Sequence, residues 1–208
     1  KITDIQVFEL KIPFSNGVNK KSPSSFLTAD ALDFCLVKIE TDQGIVGWGD
    51  AFAYHCRRSV AEAINHMVKP HLIGKNPLNV QQINFELQKS LHLYGRYGIT
   101  IFAISAIDMA LWDIKGKAEN KPVFELLGGK KQEEVIPYAS LQPVGHSFQE
   151  YKDSLVAWAE KAKSLGFKAV KSEVTLNGPY AHSGLHEEDD KTTEVVAAVR
   201  KALGPEIK

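Results

Sequence analysis

Gly166-Phe167-Lys168-Ala169-Val170-Lys171-Ser172-Glu173 is the stretch on which the fold turns. Its apolar first part reads as a buried strand. Residues two apart on a strand share a face, so Phe167, Ala169, Lys171 and Glu173 point one way. That face begins apolar and ends in two opposite charges. A helix-like segment precedes the strand, and a loop and a second helix-like segment follow it. This is the order of a βα unit, and folds of that kind place chemistry at the C-terminal ends of their strands. The plainer reading of Lys171 and Glu173 is an ion pair closing a strand end.

Working outward, residues 134–208 read as strand, helix, strand, helix and the onset of a third strand. Val135 to Leu141 forms the first strand. Phe148 to Ser164 is an amphipathic helix with Tyr151, Leu155, Trp158, Ala159 and Ala162 on one side, closed by Leu165-Gly166. Glu187 to Leu203 is the second helix, ended by Gly204-Pro205. Glu187, Glu188, Asp189 and Asp190 at its start complement the helix dipole, so they read as a cap and not as a metal site. Ile207-Lys208 begins another strand. Repeated βα units imply parallel pairing with right-handed crossovers. Two repeats leave a bare sheet edge, and a βα barrel needs eight strands. The expectation is the first part of a longer protein; a small open α/β sheet docked on the preceding domain is the alternative.

Residues 1–130 have a different pattern. Ile2 to Ile12, Leu32 to Ile39 and Ile45 to Trp48 are strand-like, and Thr41-Asp42-Gln43-Gly44 predicts a hairpin turn. Three helices follow. Ser59 to Val68 carries Glu62 at capping-box spacing from Ser59, and Val80 to Leu93 has apolar residues at helical spacing. Ile99 to Lys117 is apolar nearly all round, so it is expected to be buried on most faces. Asp108 and Asp113 interrupt it and read as structural ties, since a buried carboxylate needs partners. Pro122 opens a short helix, Val123 to Leu127, that Gly128-Gly129 stops. The polar loop around Asn16 and the loop Phe52-Ala53-Tyr54-His55 flank the strands. The second is too aromatic for a mere linker.

The composition narrows the class. With 208 residues, 44% hydrophobic and 24% charged, the chain is that of a globular protein. Its 25 basic and 25 acidic residues give a formal net charge of zero, so no field draws it to nucleic acid or a membrane. Ile99 to Leu111 is too short to span a bilayer, and no signal peptide is visible, although the chain starts at Lys1. Cys35 and Cys56 read as buried thiols, which fits a reducing, cytoplasmic setting.

Three motifs point further. Val46-Gly47-Trp48-Gly49-Asp50, the helix Ala103 to Lys117, and Lys121-Pro122-Val123-Phe124-Glu125-Leu126-Leu127-Gly128-Gly129 resemble the enolase superfamily, in its mandelate racemase / muconate lactonizing enzyme branch. The resemblance implies an α+β capping domain (residues 1–130) followed by the first βα units of a modified TIM (β/α) barrel (residues 131–208). It implies Mg²⁺ at the barrel mouth, with the loops around Asn16 and Tyr54-His55 closing over a small carboxylate substrate. The reaction implied is abstraction of the proton next to that carboxylate, giving an enediolate whose charge a dication stabilises.

Relatives in this branch carry Lys-x-Lys at the end of the second barrel strand, where this chain has Lys171 and Glu173. By resemblance Lys171 is the cationic partner of the substrate carboxylate. Glu173 replaces a second lysine base and reads as a hydrogen-bond acceptor or weak acid/base, because neighbouring positive charge lowers a carboxylate pKa. This favours one-sided dehydration of a sugar acid over racemisation; a non-catalytic relative is the third reading. Asn16, Tyr54, His55, Ser140 and His182 are the candidate substrate contacts. The family's metal carboxylates lie on later strands, so no metal ligand is assigned within 1–208. His182 and His186 in the loop Thr175 to His186 have i,i+4 spacing, but Pro179 and Gly184 argue against a helix there and hence against a metal pair. Assembly as a homo-oligomer is expected from the family.

Overall fold

The computed structural model describes residues 1–13, 31–141, 143–178, 181–182 and 184–208. These form two compact units, one from residues 1–13 and 31–131, the other from residues 132–208.

In the first unit, β1 (Ile2–Pro13), β2 (Ala31–Thr41) and β3 (Val46–Ala51) form an antiparallel sheet in the order β1-β2-β3. Gly44, with φ 74°, makes the predicted turn, and its N–H donates to Thr41 O at 3.1 Å. A positive φ at this point costs glycine nothing. Ile5, Cys35, Val37 and Ile39 line the buried face of the sheet. Against that face lies α3 (Ile99–Glu119), which buries Ala103, Ile107, Ala110, Leu111 and Ile114. Gly47 and Gly49 are what let α3 approach: a Cβ on Gly49 would collide with the carbonyl oxygen of Ala106, and one on Gly47 with that of Ala110. Asp113 Oδ2 accepts from the Trp48 N–H at 2.8 Å and from Lys117 Nζ at 2.7 Å. Asp108 Oδ1 accepts from Asn84 Nδ2 at 2.8 Å. Both acids are therefore ties between elements.

The predicted helix Ser59 to Val68 starts earlier than its sequence suggests. It is α1 (Arg57–Glu62), continued by a π-helical turn (Ala63–Val68), and its N-cap is Cys56. No capping box forms at Ser59. The start is fixed by Asp33 instead, which pairs with Arg57 and accepts the His55 N–H at 3.1 Å. A contact across 24 residues overrides the local signal. The next helix, α2 (Val80–Ser90), ends in a 3₁₀ turn (His92–Tyr94), and α4 (Val123–Leu126) follows α3.

Both cysteines are free, Cys35 buried and Cys56 half-buried. Burial pushes the Cys35 thiol up to about 11 and raises that of Cys56. Asp50 carries a buried Oδ1 with no hydrogen-bond partner, and burial raises its carboxyl above the usual value. Its charged form is thus the costly one in the fold. Stability is greatest while Asp50 is protonated and falls as pH rises through its raised folded value. Asp50→Asn should raise the melting temperature at pH 7 and lose that advantage near pH 3, measured by thermal denaturation at both pH values.

In the second unit β4 (Tyr138–Ser140) and β5 (Ala169–Lys171) pair in parallel, with Tyr138 opposite Ala169 and Ser140 opposite Lys171. The strand expected from Val135 is shorter: Val135 and Ile136 are exposed and pair with no strand among the described residues, and Pro137 has no N–H to offer a ladder. Helix α5 (Phe148–Ser164) is capped by Ser147 in a full capping box with Glu150. Helix α6 (Asp189–Leu203) begins two residues later than expected, with Glu188 at its N-cap and Asp189 and Asp190 in its first turn. Tyr151, Leu155, Ala159, Val195, Val199 and Leu203 form the core between these helices and the strands. Lys208 bonds to β5 on the edge away from β4: its N–H donates to Lys168 O at 3.0 Å, and its carbonyl accepts from Val170 N at 2.8 Å. This is the hydrogen-bonding expected where a third parallel strand begins.

Candidate active site

The two faces of β5 are chemically distinct. Val170, Ser172 and Val174 line a cavity of about 160 Å³ against Val199, Arg200 and Leu203 of α6. Alternation then sends Ala169 and Lys171 of β5 to the face turned away from the helices, and the register adds Tyr138 and Ser140 to it. Lys171 is exposed, with Nζ 6.0 Å from the centre of the Tyr138 ring. Lys171 and Glu173 form no ion pair, so the plainer reading of the two charges is not what the structure shows. Ser140 is exposed beside Lys171 in the ladder. A cation and a hydroxyl thus sit side by side at the C-terminal end of two parallel strands, and the exposed Glu173 lies two residues beyond β5. Such a set can bind a carboxylate through the cation and hydroxyl and accept a hydrogen bond through Glu173.

The loop after β5 folds back on itself. His182 N donates to Thr175 O at 3.0 Å, Glu187 N to Leu176 O at 3.0 Å, and Leu176 and Leu185 are buried. His182 is half-buried. Its Nε2 lies 3.1 Å from Gly145 O, which places the ring proton on that nitrogen. Burial lowers its pKa, so the ring is held neutral. His186 is exposed. Asn177 Nδ2 donates to Asp189 Oδ1 at 2.8 Å and joins this loop to the start of α6.

Sequence reasoning took Tyr151 only for a core residue. It is buried, and its hydroxyl donates to the backbone carbonyl of Glu173 at 2.7 Å. Burial, with Glu173 nearby, pushes its phenol up to about 12, so it stays a donor. The only trace in the sequence is a tyrosine in a stripe otherwise made of aliphatic residues and tryptophan.

The other candidates lie elsewhere. Tyr54 and His55 belong to the first unit. The Tyr54 ring lies tilted against Phe52 with centroids 4.8 Å apart, Phe52 meets Phe102 at 4.7 Å, and His55 takes φ 58° in the turn before α1. Asn16 lies outside the described residues. Among the described residues no group of three or more His, Cys, Asp or Glu side chains is placed to hold a metal ion. No helix among them is long and apolar enough to cross a membrane.

Known proteins resemble the chain throughout its length. A family model described as mandelate racemase / muconate lactonizing enzyme, N-terminal domain, matches residues 14–128. Arabinonate dehydratase of Saccharolobus solfataricus is 31% identical over 209 residues, which cover 100% of this chain and 52% of that protein. The crystal structure of the 3,6-anhydro-D-galactonate cycloisomerase from Zobellia galactanivorans matches with a TM-score of 0.72 at 32% identity, covering 100% of this chain and 49% of that one. That of an N-succinyl Arg/Lys racemase from Bacillus cereus matches with a TM-score of 0.76 at 26% identity, covering 100% and 50%. The chain spans about half the length of the relatives it matches. With a capping-type α+β unit, parallel βα units that carry Lys171 at a strand end, and relatives above 30% identity along its whole length, the chain belongs to the mandelate racemase / muconate lactonizing enzyme family of the enolase superfamily.

Proposed function

We propose that the protein acts as an acid-sugar dehydratase, removing the proton next to a carboxylate and expelling a hydroxyl from the neighbouring carbon. The observation that carries this reading is Lys171, exposed at the end of β5 on the face away from the helices and paired in register with Ser140. Loss of the α-proton to a base leaves negative charge on the carboxylate oxygens. An ammonium already held there stabilises that charge as it develops. Departure of the β-hydroxyl, taking a proton to leave as water, gives an enol that becomes a 2-keto acid. Glu173 is suited to a hydrogen bond with a substrate hydroxyl, or to passing that proton. The described residues supply no ligand set for the Mg²⁺ of the family, so no step is drawn through it. The principal base is not assigned to a residue of this chain.

The likeness to arabinonate dehydratase supports this outcome, and the likeness to a racemase keeps a second one in view, in which the proton returns to the other face. The reading carries with it Mg²⁺ as cofactor, a small carboxylate as substrate, contacts from Asn16, Tyr54, His55, Ser140 and His182, a homo-oligomeric state and a cytoplasmic setting. The two free thiols support the last.

The test is α-proton exchange. Full-length protein with Mg²⁺ in D₂O, given a broad panel of sugar acids, should release a 2-keto acid from at least one of them. Inversion with deuterium uptake and no loss of water would establish the racemase instead. No exchange with any acid would leave a non-catalytic relative. Glu173→Gln should lower kcat about 10–100-fold while changing Mg²⁺ affinity less than about twofold. Wild-type kcat in that variant would reduce Glu173 to a structural residue.

A further inference from the structure

Three segments of the second unit meet behind Glu173. The first is the turn at Gly145, between β4 and α5. The second is Tyr151, one turn into α5. The third is the segment after β5 that carries Glu173 and His182. Tyr151 donates to Glu173 O at 2.7 Å, and the His182 ring meets the Tyr151 ring edge-on at 5.0 Å. His182 Nε2 closes the set on Gly145 O at 3.1 Å. Gly184 backs the same turn: a Cβ there would come within 3.3 Å of His146 O. The Tyr151 phenol is buried, so breaking its bond would strand a donor with no solvent to replace its partner.

We propose that Tyr151 and His182 are positioning residues, a brace that fixes the backbone at Glu173 and thereby keeps its carboxyl on the Lys171 face. This inference rests on the proposed site at Lys171 and Glu173. It gives His182 a role through its neighbours, beside the substrate contact proposed for it. The Glu173 backbone lies two residues beyond β5, where no ladder bond holds it, and the phenol substitutes for that bond. The neutral imidazole holds the phenol's ring in place and ties the two strand-end turns together. A small error in placing an acid or base costs catalysis far more than it costs binding.

In the full-length enzyme, Tyr151→Phe removes one hydroxyl and keeps the ring. It should lower kcat roughly 10-fold while KM moves less than about twofold. It should also speed amide hydrogen exchange at Val174 to Leu176. His182→Ala should do the same, and His182→Gln, which keeps an N–H donor, should recover most of the loss. The double variant Tyr151→Phe/His182→Ala should be little worse than either single one, as expected of residues acting as one unit. His186→Ala, on the exposed side of the loop, should match wild type. Wild-type kcat and exchange in Tyr151→Phe and His182→Ala, beside an inactive Lys171→Ala, would overturn the brace. If Lys171→Ala itself turns over normally, the proposed site is wrong. Amide exchange in Tyr151→Phe then still decides whether the brace exists: faster exchange upholds it and unchanged exchange refutes it.

Discussion

Lys171→Ala should lower kcat of the full-length protein by about 10²–10³-fold and leave its melting temperature nearly unchanged. The expected loss is that of one preorganised group aimed at developing negative charge. Stability should hold because, among the described residues, the Lys171 side chain makes no ion pair and approaches the Tyr138 ring at 6.0 Å without any closer polar tie. Substitutions at such positions rarely move stability by more than about 0.5 kcal/mol. Steady-state kinetics and thermal denaturation on the same preparation make the check. A variant that is inactive because it is unfolded shows a lowered melting temperature and is set aside. Normal kcat in a folded variant removes Lys171 from the mechanism, and with it the strongest support for the dehydratase reading.

Gly49→Ala should strongly destabilise the first unit. The new Cβ would collide with the carbonyl oxygen of Ala106 and lie 3.0 Å from Ala110 N. Those atoms are helix backbone inside α3, so no side chain can swing away. Relief requires α3 to lift off β3, opening the packing of Ala103, Ile107 and Ala110 against Val37 and Ile39. A cost of about 3 kcal/mol or more is expected, above the ordinary range for overpacking. That corresponds to a melting temperature lower by about 10 °C. Gly44→Ala provides the comparison. It meets nothing within 4 Å and is strained only by its φ of 74°, which costs about 1–2 kcal/mol. Equal melting temperatures for the two variants would refute the close approach of α3 as the reason for Gly49.

The same glycines show where a sequence is legible and where it is not. Val46-Gly47-Trp48-Gly49-Asp50 identifies the family as a string, but the need for glycine appears only once α3, more than fifty residues on, is seen against the strand. Local signals were sufficient where local physics decides. The hairpin at Gly44 and both ends of α5 were legible because each depends on residues within one turn. They failed where a distant residue intervenes: Asp33 starts α1 at Arg57, and the lack of a partner at Val135 and Ile136 shortens β4. In the candidate site, alternation along β5 is enough to put Lys171 on the face away from α6, whereas the strand ends two residues short of Glu173. The phenol behind Glu173 was not legible, since nothing in the spacing of α5 distinguishes a tyrosine that fills space from one that also holds a carbonyl 22 residues away.

The thiols have a practical consequence. A maleimide or iodoacetamide reagent attacks only the thiolate. At pH 7 a thiol held near 11 is ionised in only about one molecule in ten thousand. Cys35 is also shielded by the sheet, and Cys56 is shifted in the same direction. Native protein should therefore take up such dyes slowly. A cysteine engineered on an exposed helix surface would then carry a fluorophore or spin label selectively, without first replacing either natural one.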